Sequence, residues 1–192
     1  MKRWIKWAAA AVLLLAAVWL IEGRSYHGSA MVEQDGVRFY LRADHLWAFA
    51  EDCVWDGEGD TVDYVIPDRV KGAKVTSLGG LLYGTAFKKL PCGWGVALPE
   101  TFRGAERVSF LPQTDATELT LTVRLHLGRY VSEIENMGGI VPTGYYSPGG
   151  SYIIRQRWIV TCDAGNETYY AENGRLYYRG SGEPVALCYE TE

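Results

Sequence analysis

A chain of 192 residues has room for one ordinary domain and a short accessory segment. Its formal charge is −4, and removing the +3 of Lys2, Arg3 and Lys6 leaves −7 on the remainder; with no basic cluster, that balance excludes nucleic acid as a partner and disfavours anionic lipid surfaces. Twenty-two glycines and thirteen tyrosines, with little helical periodicity, point to strands and turns.

The N-terminal stretch is basic, then uncharged from Trp7 to Ile21. The 18 residues from Trp4 to Ile21 would span about 27 Å as a helix, the minimum for a bilayer. Trp4, Trp7 and Trp19 sit towards its ends, where indole rings favour headgroups. Small residues at Gly28-Ser29-Ala30 offer a cleavage site, but one set nine residues beyond Ile21. Residues 1–22 therefore read as a signal anchor or a signal peptide, 23–35 as a linker and 36–192 as an extracytoplasmic domain, membrane-attached or secreted.

Val37, Phe39 and Leu41 alternate in the first predicted strand, and residues 45–55 suit either a short helix or a strand. The acidic run at 51–63 spaces Asp56, Glu58 and Asp60 like a calcium loop. It lacks the central glycine and has Pro67 where a bidentate glutamate belongs, so an acidic hairpin turn is the better account. Val62, Tyr64 and Ile66 alternate onto one face; Pro67 stops the ladder, Gly72 permits a bend, and Val75 and Leu78 resume an apolar track.

That stretch has an echo. Ile66-Pro67-Asp68, Val70-Lys71-Gly72-Ala73 and Val75-Thr76 correspond to Leu98-Pro99-Glu100, Phe102-Arg103-Gly104-Ala105 and Val108-Ser109, and an internal repeat of stacked units is expected. Residues 117–128 form the clearest predicted strand, with Leu119, Leu121, Val123, Leu125 and Leu127 inward and Thr120, Thr122, Arg124 and His126 outward. Residues 141–151 read as a loop from their proline and glycine content. Residues 152–162 return to a strand, with Ile154, Trp158, Val160 and Cys162 on one face. Residues 174–189 suggest two short strands about a Gly-Ser-Gly turn.

Chemistry-bearing motifs are few. None of the three histidines belongs to a nucleophile signature, so no catalytic residue is assigned. The four cysteines lack metal-ligand spacing; no metal or other cofactor is assigned. In an exported chain the cysteines either pair, Cys162 with Cys188 being the easiest pair to picture, or serve as small apolar core residues. Asn166-Glu167-Thr168 matches a glycosylation sequon, although an asparagine-in-a-turn role explains it better. Tyr145 and Tyr146, with Trp94, Tyr177 and Tyr178, are aromatics that serve either in a binding patch or in packing.

The motifs at Ile66, Pro67, Val75, Thr76, Leu78, Gly79, Ala86, Phe87 and Cys92 resemble the BspA-like leucine-rich repeat, and Asn166, Tyr170, Asn173, Gly174, Leu176 and Tyr177 resemble its terminal unit. The match is broken by an insertion at Leu81 to Thr85. The resemblance implies a mainly β fold, a short irregular leucine-rich-repeat-like β-solenoid behind the N-terminal helix, in a bacterial surface protein that binds other proteins or glycans. Non-catalytic recognition through Thr120, Thr122, Arg124, His126, Tyr145 and Tyr146 is the expected function. The alternatives are an extracytoplasmic hydrolase acting on envelope glycans or peptides, and a structural accessory subunit of a membrane complex.

Overall fold

The computed structural model describes residues 7, 11–14, 30–42, 45–83, 89–92, 94–98, 106–108, 116–135, 143–147 and 150–190. Trp7 and residues 11–14 are helical, and the rest of the 1–22 segment lies outside the described residues. Among the described residues no helix is long and apolar enough to cross a membrane.

The chain is mainly β. Strands β1 (Ala30–Gln34) and β2 (Val37–Leu41) form a hairpin through Asp35-Gly36, both at positive φ (52° and 74°), the turn that an Asp-Gly pair favours. Strand β1 falls within residues 23–35, the stretch expected to be linker. Residues 45–55, readable either way, supply a strand, β3 (Trp47–Val54). Next come β4 (Thr61–Val65), β5 (Arg69–Val70) and β6 (Ala73–Leu78), then the hairpin of β7 (Gly80–Tyr83) and β8 (Lys89–Cys92). The second half runs through β9 (Gly95–Ala97), β10 (Glu106–Val108), β11 (Ala116–Leu127), β12 (Glu133–Ile134), β13 (Thr143–Ser147) and β14 (Gly150–Cys162). It ends in the hairpin of β15 (Tyr169–Glu172) and β16 (Arg175–Tyr178).

Two sheets carry the structure. One has the order β1-β2-β3-β6-β12, with β5 added to β6 and β9 to β3; the other has the order β10-β13-β14-β11-β4. Long-range neighbours run parallel in each: β9, β3, β6 and β12 in the first, β4, β11 and β14 in the second. The chain leaves the second sheet for the first after β4 and again after β11.

The corners that follow β4, β11 and β14 are stacked. Ile66 N–H donates to the His126 carbonyl and Asp163 N–H to the Leu127 carbonyl, each at 2.9 Å. Arg129 lies between two neighbouring corners: its N–H reaches Asp68 Oδ1 at 2.7 Å, and its Nε stands 3.9 Å from Asp68 and 3.6 Å from Asp163. Gly128 is required there because a Cβ would come within 2.7 Å of the Ile66 carbonyl oxygen.

One apolar core joins the two sheets, with Val37, Phe39, Leu41, Tyr64, Ile66, Val75, Leu78, Leu121, Val123, Leu125, Leu127, Trp158 and Val160 all buried. The alternation read from β2, β4 and β11 therefore points as expected. Trp94 sits 5.0 Å from Trp158 between ring centroids, with its indole N–H on the Glu135 carbonyl; it is core and not part of an exposed aromatic patch. Buried Gln156 crosses between the sheets to accept the Val96 N–H at 3.0 Å.

Two expectations are corrected. The sequence echo does not give stacked equivalents: Ile66 follows β4 in the second sheet, whereas Leu98 follows β9 in the first. Val75 lies in β6, a parallel strand of the first sheet, whereas Val108 lies in β10, antiparallel to β13 in the second. Shared turn chemistry does not bring the two segments together, because strand pairing elsewhere sets each one's place; residues 99–105 lie outside the described residues. The expected loop at 141–151 contains strand β13, which zips antiparallel onto β14 from Thr143↔Ile154 to Ser147↔Gly150. Its proline and glycine residues flank and punctuate a strand that has a long partner beside it.

Candidate recognition face

The outer face of the second sheet is written by alternation. In β11 the odd positions from Leu121 to Leu127 are buried and Leu119 is half-buried, so Thr120, Thr122, Arg124 and His126 project outward. Parallel register sets Thr120 beside Arg155 of β14 and the other three beside a residue of both neighbours. Thr122 meets Thr61 and Arg157, Arg124 meets Asp63 and Ile159, and His126 meets Val65 and Thr161.

Those neighbours organise the face. Arg124 grips Asp63 with two contacts, Nε–Oδ1 at 2.7 Å and Nη2–Oδ2 at 2.9 Å. His126 Nδ1 lies 3.0 Å from Thr161 Oγ1, and Thr122 Oγ1 donates to Glu190 Oε2 at 3.3 Å. Further along, Arg155 holds Glu118 through two 2.8 Å hydrogen bonds, which keep the Glu118 carboxyl below its usual range. Val65 and Ile159 are exposed apolar side chains flanking this network, and Arg157 makes no such contact among the described residues. The face is a pre-ordered mixture of paired charge, hydroxyl and apolar surface.

Tyr145 and Tyr146 belong to the same sheet but not to the same place. They pair in register with Tyr152 and Ser151, whereas Arg124 pairs with Ile159, seven residues beyond Tyr152 along β14. That separation is roughly 23 Å at the rise of a strand. The six expected binding residues therefore divide into a compact group of four on β11 and a separate pair on β13.

The cysteines take no part in the face. Of the two alternatives open for Cys162 and Cys188, the structure has no bridge between them. The Cys188 carbonyl accepts the Trp158 N–H, which sets Cys188 four positions along β14 from Cys162, roughly 13 Å at strand rise and beyond disulfide reach. The Cys162 thiol donates to the Tyr169 carbonyl at 3.7 Å, and burial pushes it up to about 11. Buried Cys53 donates to the Asp63 carbonyl, and burial with the nearby Asp52 carboxylate pushes it up to about 12. Neither thiol is a nucleophile near neutral pH.

The acidic run folds as a turn: Asp56 Oδ1 accepts the Glu58 N–H and Trp55 Nε1 donates to the Glu58 carbonyl. Asp52 from the same run is instead buried against Arg38 at 2.8 Å. Among the described residues no three His, Cys, Asp or Glu side chains gather to hold a metal.

Asn166 is buried, so the fold leaves no room for a glycan on it. Its amide donates to the Gly128 and Val131 carbonyls and its oxygen accepts from the Thr168 and Tyr169 N–H groups, which pins the last corner onto the one before. Sequence reasoning missed Gln156 and Asp63. Gln156 carries one clue, its place in the buried parity of residues 152–162; Asp63 carries none until β4 is known to lie beside β11.

The chain matches no protein-family model, no curated protein and no solved structure.

Proposed function

We propose that this chain is a non-catalytic recognition protein working outside the cytoplasm, anchored or exported by residues 1–22, with a short irregular β-solenoid of the BspA-like leucine-rich-repeat kind as its scaffold. The stacked corners after β4, β11 and β14 support that scaffold, since a solenoid needs each turn of chain to sit on the last. The observation that carries the function is the open outer face of β4, β11 and β14, where Arg124, His126, Val65 and Ile159 stand together on rigid strands. Side chains ordered by their neighbours lose little freedom on binding, which suits a face for recognition. The partner is an envelope or extracellular protein.

The test is photocrosslinking from a reactive residue placed at Thr120, with Glu33 on the far sheet as control. A protein adduct from position 120 and none from position 33 is expected. Equal labelling from both, or none from position 120, overturns the reading.

A further inference from the structure

The first sheet is electrically polarised along its strands. At the end where β1 begins, Ala30 pairs with Leu41, Leu41 with Ala48, and Ala48 with Val75, so the chain enters beside Trp47 and Lys74. Lys74 Nζ stands 4.5 Å from the Tyr130 ring centroid and 5.7 Å from that of Trp47, and the Arg69 guanidinium lies 5.6 Å from Tyr130. Leu46 is 58% exposed and Met31 57%. Asp68, the carboxylate next to Arg69, is engaged by Arg129. The opposite end carries Asp35 at the β1–β2 turn and Asp56, Glu58 and Asp60 after β3, brought together by the Val54 N–H on the Gly36 carbonyl.

The net charge of −7 outside the N-terminal basic residues hides this division. Basic groups interleaved with Trp, Tyr and exposed apolar residues match a phospholipid interface: cations meet phosphates, aromatic rings sit among headgroups, and Leu46 and Met31 reach the acyl boundary. The chain's own course brings such a surface close. Residues 23–29 separate the apolar N-terminal segment from Ala30 and extend over at most about 25 Å.

We propose that the domain docks on the anionic phospholipid surface holding residues 1–22, through Met31, Leu46, Trp47, Arg69, Lys74 and Tyr130. The acidic end and the outer face of β4, β11 and β14 are then left free of the bilayer. This rests on reading residues 1–22 as a retained anchor. Docking fixes the domain's orientation, so the recognition face is presented to partners in one direction.

The experiment reconstitutes the full chain in nanodiscs of phosphatidylglycerol or of phosphatidylcholine and follows amide hydrogen exchange. Slower exchange at residues 45–47 and 71–74 in the anionic discs only is expected, reversed by Arg69→Glu with Lys74→Glu. Each cation near an anionic surface is worth roughly five-fold in affinity. The protection should also fade in roughly 0.5 M salt, where the screening length is about 4 Å. Equal exchange in both lipids, or protection confined to residues 54–60, overturns the docking. So does protection of the same segments by heparin but not by lipid, which would assign the patch to a soluble polyanion. Release of the chain from the discs by salt or carbonate overturns the anchor, a failure distinct from salt-resistant retention without protection.

Discussion

Arg124 and Asp63 lie 61 residues apart in the chain yet meet through two parallel contacts of 2.7 and 2.9 Å, because β4 adds to β11 in parallel with these two residues in register. Both side chains are more than half exposed, so the pair orders the face more than it stabilises the fold. Arg124→Ala together with His126→Ala should change stability by no more than about 1 kcal/mol. Thermal melting checks this, and a loss several times larger would make the pair structural.

Asn166 should behave in the opposite way. Its side chain serves four backbone groups, two carbonyls and two N–H groups, through three buried hydrogen bonds and a half-buried one. Asn166→Ala leaves them unpartnered and should cost roughly 3 kcal/mol or more, read from denaturant unfolding. A loss below about 1 kcal/mol would mean that the last corner is not held by this residue.

Gly72 and Gly95 separate two reasons for a glycine. Gly72 has φ +86° with nothing within 4 Å of a built Cβ, so only backbone strain opposes a side chain. Gly72→Val should destabilise by about 1 kcal/mol or more, while Gly72→Asn should be nearly neutral. At Gly95, φ is +141° and a Cβ would stand 2.6 Å from Gln156 Oε1, the atom that accepts the Val96 N–H. Gly95→Ala should therefore cost more than Gly72→Ala, by roughly 1–2 kcal/mol. Equal losses in the two alanine variants, measured by chemical denaturation, would remove the inter-sheet role of Gln156.

Alkaline pH should weaken the fold through Cys53 and Tyr64, both neutral when protonated and both pushed up chiefly by burial. Below the ordinary thiol value of 9.0 the folded and unfolded chains keep the Cys53 proton alike, and its contribution is intact. As pH rises from 9.0 towards about 12 the unfolded chain ionises while the folded chain does not, and that stability is lost. Cys53→Ala should flatten the fall in this window, as unfolding free energies at successive pH values will show. An unchanged slope would place the effect elsewhere.

The alternation of Leu and Val against Thr, Arg and His made the inner and outer faces of β11 legible, because side chains in a strand repeat every two residues. The Lys-Gly turn before β6 was legible for a related reason: few residues accept positive φ, and Lys71 and Gly72 both adopt it, whereas the hairpin near the C-terminus turns at Asn173-Gly174 and not at the Gly-Ser-Gly read from the sequence. Which strands become neighbours was not legible. Asp63 beside Arg124, Gln156 beneath Val96 and Cys188 beside Trp158 all follow from long-range register, on which local periodicity is silent. The echo of residues 66–78 at 98–111 misled for the same reason, since similar turns were used at corners that lead into different sheets. Residues 141–151 misled because Pro and Gly outweighed a Tyr-Tyr pair that completes a hairpin with β14.

The central claim, that the outer face of β4, β11 and β14 recognises a partner, is tested most directly by affinity capture from solubilised envelope. The bait is the detergent-purified full chain, run beside its Arg124→Ala/His126→Ala variant and a Glu33→Ala control of matched melting temperature. A protein retained by the wild type and the control but lost from the double variant is the predicted result. Capture of the same proteins in the same amounts by all three baits would contradict it.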